Sequence, residues 1–566
     1  MEQTNTNNIY PNNQPSDCNY PNNQYSSNTC SNSPYLNQNM SYPGQPVIAV
    51  KRNSDTIFTK NLKKHFSFFS IGSLLYAVFY TFCLYRNSSG ITYPFFVIGT
   101  LCYFFFSIQK LGVPYKKDSI FYIISLVLLG ISNCLTTSQQ LLFMNKCGIF
   151  LLSFILILHT IYNDKEWNLP KYFAALFQTI GACFACIFRP FSDMISYFDA
   201  QKQVKTGKKS YFLPVLTGIA IALPLLFIIT ALLSSADIVF AKMLDRIFTC
   251  FNFMTIFEIF FLIVAVFFCS YAIYAALCMK NVQEEVTDQR KLEPVIAIIV
   301  TAALSVVYLM FSVIQIMYLF IGNMRLPKGY TYSGYAREGF FQLLAVCILN
   351  LLLVLICLYL FRENMVLKMI LTLISSCTYI MILSSALRMI MYINRYNLTF
   401  LRIFVLWSLT VIFFLMAGVT IFIYQKRFPL FTYGMVIVTV FYICLSFAHP
   451  DYWIARYNLN PAHLEYLDDY DVFDSRHYLS TLSSDAAPVL LNEKTNPYLS
   501  QIPGLTSNDI FTMKWDDLKE QYLLENDEYQ CISWIRSYYL DMQHLSEDMH
   551  VRNFNFSVHA ARKYMP

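Results

Sequence analysis

Long apolar runs, rather than strict alternation, organise this chain. Between residues 66 and 447 they recur at lengths of roughly 18 to 27 residues, separated by short polar patches. A helix needs about 20 residues to cross a bilayer. Backbone groups in lipid must be satisfied within their own segment, so each run predicts a helix. Strands of a membrane barrel would alternate apolar and polar side chains, and these runs do not. The predicted fold class is all-α: a polytopic helical membrane protein.

Four runs come first, at 66–85, 91–108, 119–137 and 147–162. Seven more follow, at 211–233, 253–278, 295–320, 340–361, 365–390, 401–423 and 429–447, which makes about eleven spans. The run 172–188 carries Gln178 and leads into Lys202, Lys205, Lys208 and Lys209. If it crossed, those lysines would break the positive-inside rule, so it reads as interfacial or re-entrant. Lys51, Arg52, Lys60, Lys63 and Lys64 precede the first run and place the N-terminus in the cytoplasm. Lys110, Lys116 and Lys117, then Lys280, Arg290 and Lys291, then Lys426 and Arg427 mark further inside loops. The region after 447 is then expected outside the cytoplasm.

Composition sharpens this division. Only 13% of residues are charged, against about 25% in a soluble chain, and the mean hydropathy is +0.43. Residues 1–50 form an Asn-, Pro- and Tyr-rich tail in which Tyr10-Pro-Asn-Asn-Gln14 recurs as Tyr20-Pro-Asn-Asn-Gln24. Such a tail buries too little apolar surface to offset its ordering entropy and is expected to be disordered. Without Lys or Arg before Lys51 it is not a secretory signal peptide. Residues 51–170 form an N-terminal bundle, 171–210 an interfacial segment and basic linker, and 211–447 a second bundle. Residues 448–566 form a polar domain in which about twice as many acids as bases occur. There 475–491 and 516–524 have helical apolar spacing, with breaks at Asn496-Pro497 and Ile502-Pro-Gly504.

The net charge of +6 follows the helix flanks, and no basic stripe with interleaved aromatics points to nucleic acid. The expected partners are membrane lipids and a protein bound through the acidic C-terminal domain. Most of the 16 cysteines lie inside apolar runs, where they act as small hydrophobes, and no disulfide framework is implied. Cys183-Phe-Ala-Cys186 lacks the second pair of ligands that zinc needs. His449, His463 and His477 lie near Asp451, Asp468 and Asp469, a set that metal binding or chance scatter explains. His159 reads as a core histidine, and Ser484-Asp485 as local helix-start chemistry. No Walker loop, dinucleotide fingerprint, zinc-protease motif or nucleophile elbow is present, so no cofactor is expected and enzymatic activity is disfavoured. Pro214, Gly218 and Pro224 would kink the span at 211–233, as in many transporters.

Four stretches, taken in order, carry a resemblance. They are Leu232-Leu-Ser-Ser-Ala-Asp-Ile-Val-Phe240, Tyr335-Ala-Arg-Glu-Gly-Phe-Phe-Gln-Leu343, and Arg388-Met389 with Tyr392 and Tyr396-Asn-Leu-Thr-Phe-Leu-Arg402. The fourth is Asp451-Tyr-Trp-Ile-Ala-Arg-Tyr-Asn-Leu459 with 478–488 and 555–560 beyond it. The chain resembles the bacterial multi-pass membrane proteins of the domain-of-unknown-function 4153/4173 family over about residues 211–566. The resemblance implies no activity. Asn397 stands where glycine is expected; both tolerate positive φ, so a tight turn survives.

Charges near the bilayer are the sharpest chemical signal, because one at a helix centre costs about 2.5–3.5 kcal/mol. Glu258 lies within its run, Asp237 ends one, Arg337 and Glu338 open another, and Arg388 and Arg402 flank a break at 394–397. Asp237 and Glu258 pairing with Arg337 and Arg388 would make an anion-binding or proton-relaying cluster. The plainer reading is a set of interfacial anchors and helix-helix salt bridges. Three functions remain open: an envelope sensor, regulator or assembly scaffold; a transporter of a small solute; an intramembrane enzyme acting on lipid-linked substrates.

Overall fold

A computed structural model describes residues 56–566, apart from 165, 205–217, 219–221, 223, 224, 227, 231, 241, 244–252, 281, 283, 285–289, 318–331, 462–468, 501–504, 523–525 and 566. The tail and the proline-bearing run at 211–233 thus lie wholly or largely outside the described residues. Ten helices among those described are long and apolar enough to cross a membrane. Each matches one of the runs marked in the sequence. No strand occurs among the described residues beyond an isolated bridge between Leu292 and Phe361.

A short amphipathic helix, α1 (Ile57–Lys64), opens the described chain, with Thr56 accepting the Thr59 N–H as its N-cap. Four spans follow: α2 (Phe66–Leu84), α3 (Thr92–Leu111), α4 (Ile120–Leu135) and α5 (Gln139–Ile161). Gly112 ends α3 at φ 86°, the left-handed stop that glycine adopts without cost. Next come α6 (Leu169–Ala185) and α7 (Arg189–Val204), bent by 61° from each other. Six more spans are α8 (Phe253–Cys278), α9 (Pro294–Gln315), α10 (Tyr332–Leu360), α11 (Met365–Tyr396), α12 (Phe400–Tyr424) and α13 (Leu430–Phe447). Large side chains such as Phe82, Phe106, Ile299 and Met310 stand exposed on the outer faces. In water such a belt would drive aggregation; in lipid it is the expected surface.

Polar contacts sort the helix ends into two groups. At one end the Thr56 hydroxyl donates to Cys278 O (2.5 Å), Asn61 to Leu111 O (2.9 Å) and Lys116 to Tyr162 O (2.6 Å). Arg290 pairs with Glu363 there (3.0 Å), and Thr372 meets Tyr424 (2.9 Å). Both ends of α6 also lie at this end: Trp167 donates to Glu284 O (3.1 Å), and Cys186 Sγ lies 3.4 Å from Met279 Sδ. The opposite end carries the C-terminal domain. That domain comprises α14 (Pro450–Asn458), α15 (Asp469–Ser480), α16 (Ala487–Leu490), α17 (Ser507–Thr512), α18 (Trp515–Tyr522), α19 (Asn526–Glu547) and α20 (Phe556–Ala561). Its core is Ile454, Leu479, Leu490, Ile510, Leu518, Ile535 and Tyr538, and Leu398, Phe400 and Ile403 of the bundle pack against it. Apolar spacing predicted one helix over 475–491, but the chain breaks at 481–483. The break has a cause: the freed Ser483 and Ser484 amides bond to Asp451 and Thr137 instead of to the preceding turn.

Candidate functional site

The densest buried polar chemistry sits where the domain meets the bundle. Helix α13 ends at Phe447, and His449 adopts φ 47° before Pro450 opens α14. A left-handed turn is costly for a residue with a Cβ, so the fold holds it there against strain. That turn brings the His449 imidazole Nδ1 to 3.3 Å from Asp485 Oδ2. Asp485 lies on the short 3₁₀ turn Ser484–Ala486, and only 1% of its side chain is exposed.

Three segments far apart in sequence converge on that carboxylate. The Thr136 hydroxyl, in the uncharged loop between α4 and α5, donates to Asp485 Oδ2 (2.5 Å). Ser557, on α20, donates to Oδ1. Ser484 donates to Ser557 (2.8 Å), and its amide donates to the Thr137 hydroxyl (2.9 Å). Asn555 donates to Thr136 O (3.0 Å), and the Ile91 amide donates to Phe554 O (2.8 Å). Asp451, buried on the first turn of α14, accepts the Ser483 amide (3.2 Å), and Tyr538 donates to Ser483 O (2.7 Å). Just inside the bundle, Ser132, Ser446, Asn145 and Tyr442 join in a second buried cluster at 2.5–3.1 Å.

Two groups at the junction hold their protons more tightly than usual. The hydrogen bond to Asp485 raises the His449 pKa, and burial opposes it less strongly. Burial raises the Asp451 pKa, helped by the nearby Asp485 charge. Asp485 is therefore better read as a buried counter-ion for the half-exposed imidazole than as helix-start chemistry. Ser484 and Ser557 donate toward the carboxylate and not to the imidazole. These hydrogen bonds hold the carboxylate in place and join the domain to the bundle. Among the described residues no group of His, Cys, Asp and Glu is placed to hold a metal. His463 and Asp468 lie outside them.

The charged residues marked in the sequence are spread more widely. Glu258 accepts from Tyr85 (2.6 Å) and pairs with Arg86 (2.9 Å), so its described partners are on the loop after α2. Asp237 is exposed and accepts the Val239 amide (2.7 Å), a local turn. The side chains of Arg337 and Glu338 lie outside the described residues. Arg388 is buried against Gln315 (3.2 Å), which also accepts from Ser384 (2.6 Å). It also crosses α10 so closely that a Cβ on Gly339 would lie 2.0 Å from its Nη1. Arg402 donates to Tyr396 O (2.5 Å) and to Asn397 O, and lies 4.3 Å from the centre of the Tyr392 ring. Asn397 takes φ 69°, the turn expected of it, so Arg388, Arg395 and Arg402 do not share one continuous helix. Beside Arg402 is a cavity of about 240 Å³ lined by Phe340, Phe341, Met389, Tyr392, Thr399 and Leu401. His159 pairs with Asp164 (2.7 Å) just past the end of its span.

The fold defines a class: an integral membrane protein of many helices with a helical domain fixed at one end. The profile described as "Domain of unknown function (DUF4153)" matches residues 123–493, well over half of the chain, and the chain belongs to that family. No curated protein and no solved structure matches it. The matched region begins earlier than the resemblance suggested and also ends earlier, at 493, so it includes Thr136, His449, Asp451 and Asp485 but not the stretch 555–560. Thr136 carries no sequence motif, and beside Ser484 the sequence around Asp485 predicts only local helix-start chemistry. The available signal was that 451–459, 478–488 and 555–560 were already among the stretches that carried the resemblance.

Proposed function

We propose that this protein is an envelope scaffold or regulator whose C-terminal domain lies outside the cytoplasm and offers an acidic surface to a protein partner. The observation that carries the reading is the buried junction around Asp485, which fixes the domain to one end of the bundle. Lys60, Lys63, Lys64, Lys110, Lys117, Lys280, Arg362 and Arg427 sit on segments at the opposite end. The positive-inside rule assigns that basic end to the cytoplasm. The α6–α7 pair supports this orientation, since both ends of α6 meet the basic end and the pair reads as lying along the membrane surface. On the domain, Asp516, Asp517, Glu520, Asp541, Glu547 and Asp548 are exposed.

A topology reporter fused after Pro566 tests the orientation; activity of the cytoplasmic type overturns it. The partner surface is tested by isolating the full chain in mild detergent with and without Asp516→Lys and Asp517→Lys. A stoichiometric companion protein lost on charge reversal supports the reading. No companion, together with solute uptake by proteoliposomes of the pure chain, overturns it in favour of transport.

A further inference from the structure

The cavity beside Arg402 has chemistry that the junction does not use. Its walls are apolar and aromatic, from Phe340, Phe341, Met389, Tyr392 and Leu401, with Thr399 and Arg402 as the polar groups. Phe341 is 46% exposed and Leu401 55% exposed. The walls therefore continue onto the outer face of the bundle, which lipid tails cover. Arg402 is held by two backbone carbonyls at the end of α11 and by the Tyr392 ring. It makes no ion pair among the described residues. Both carbonyls are neutral, so the guanidinium charge is oriented without being cancelled. The cavity also borders the start of α12, a 25-residue helix whose N-cap Thr399 makes no side-chain cap. The positive end of that dipole adds to the charge of Arg402.

We propose that this cavity binds the headgroup of an anionic phospholipid. The phosphate sits against Arg402 and the Thr399 hydroxyl, and an acyl chain runs out over Phe341 and Leu401. Guanidinium suits this role because its planar fork donates to phosphate while its face stays on the aromatic ring. A free phosphate would satisfy the cation but leave the apolar walls without a partner. A zwitterionic lipid brings its own cation close to the arginine. A net-anionic lipid satisfies both features. The inference holds whichever side of the membrane the domain faces, so it stands or falls separately from the orientation above.

The test is native mass spectrometry of the full chain in detergent, titrated with phosphatidylglycerol, phosphatidylcholine or inorganic phosphate. The wild type should retain one phosphatidylglycerol in preference to phosphatidylcholine, and excess phosphate should not displace it. Arg402→Gln should weaken retention about tenfold, and Arg402→Lys should weaken it less. Because Arg402 also caps α11, a second variant guards against misfolding. Leu401→Trp narrows the exposed mouth without touching the cap and should also weaken retention, with helix content unchanged by circular dichroism. Equal retention of the two lipids, displacement by phosphate, or wild-type retention by a folded Leu401→Trp chain overturns the proposal.

Discussion

Asp485 shows how much one side chain can hold together. It accepts from Thr136 of the bundle and Ser557 of the last helix, and it pairs with His449. Asp485→Asn keeps the shape and removes the charge, leaving the imidazolium without its counter-ion. We expect the domain to lose about 2 kcal/mol of docking stability, the scale of a buried hydrogen bond to a charged group. Urea unfolding followed through the domain's tryptophans would measure it. The direction of the pH dependence follows from the neighbours. His449 has a raised folded-state pKa, so its contribution is complete below its unfolded pKa and is lost as pH rises through the folded value. Asp451 has a raised pKa for a different reason: its charged form is poorly solvated. Its burial therefore costs more as pH rises through its own folded value. Both effects have the same sign. Docking should weaken from mildly acid to mildly alkaline pH, and His449→Gln should remove the part of that slope near and above neutrality. A flat or opposite profile in hydrogen exchange of α14 and α20 would rule this account out.

At the level of helices and loops, the close approaches decide which changes the fold tolerates. A Cβ on Gly90, in the loop between α2 and α3, would lie 2.8 Å from Asn553 Cα, which is backbone and cannot swing aside. Gly90→Ala should therefore push the last segment of the domain away and cost about 1–3 kcal/mol. Protease nicking near 548–555 should rise, while Gly181→Ala, where a Cβ meets nothing within 4 Å, should leave it unchanged. Deeper in the bundle, Asn350 on α10 donates to Thr378 on α11 (2.9 Å). Such bonds between membrane helices contribute about 0.6 kcal/mol, because the separated helices also find partners. A double-mutant cycle with Asn350→Leu and Thr378→Val should return a coupling of that order. A coupling several times larger would mean that the pair fixes helix register.

For the molecule as a whole, the sequence was legible where the solvent wrote the rule. Runs such as 66–85 and 429–447 had to be helices because lipid leaves the backbone no other partner, and α2 and α13 lie there. The turn at Asn397 was legible for the same local reason, since few residues accept positive φ. The junction was not legible. Thr136, Asp485 and Ser557 are ordinary polar residues separated by 349 and 72 positions, and only the packed chain makes them partners. The described partner of Glu258 was not legible for the opposite reason. Charge order along the sequence cannot tell which helix ends adjoin, and Arg86 proved to be the neighbour. The native thiols report which helix faces meet lipid. Cys102 and Cys269 lie well inside α3 and α8 and are exposed in the structure, so in water they would react at once. Alkylation needs thiolate, which forms in water and not in hydrocarbon. In sealed vesicles a charged maleimide should leave both unlabelled, and dissolving the membrane in denaturing detergent should label both. Prompt labelling of either in intact vesicles would mean that its helix lines a water-filled path, and the outward faces assigned here to lipid would have to be redrawn.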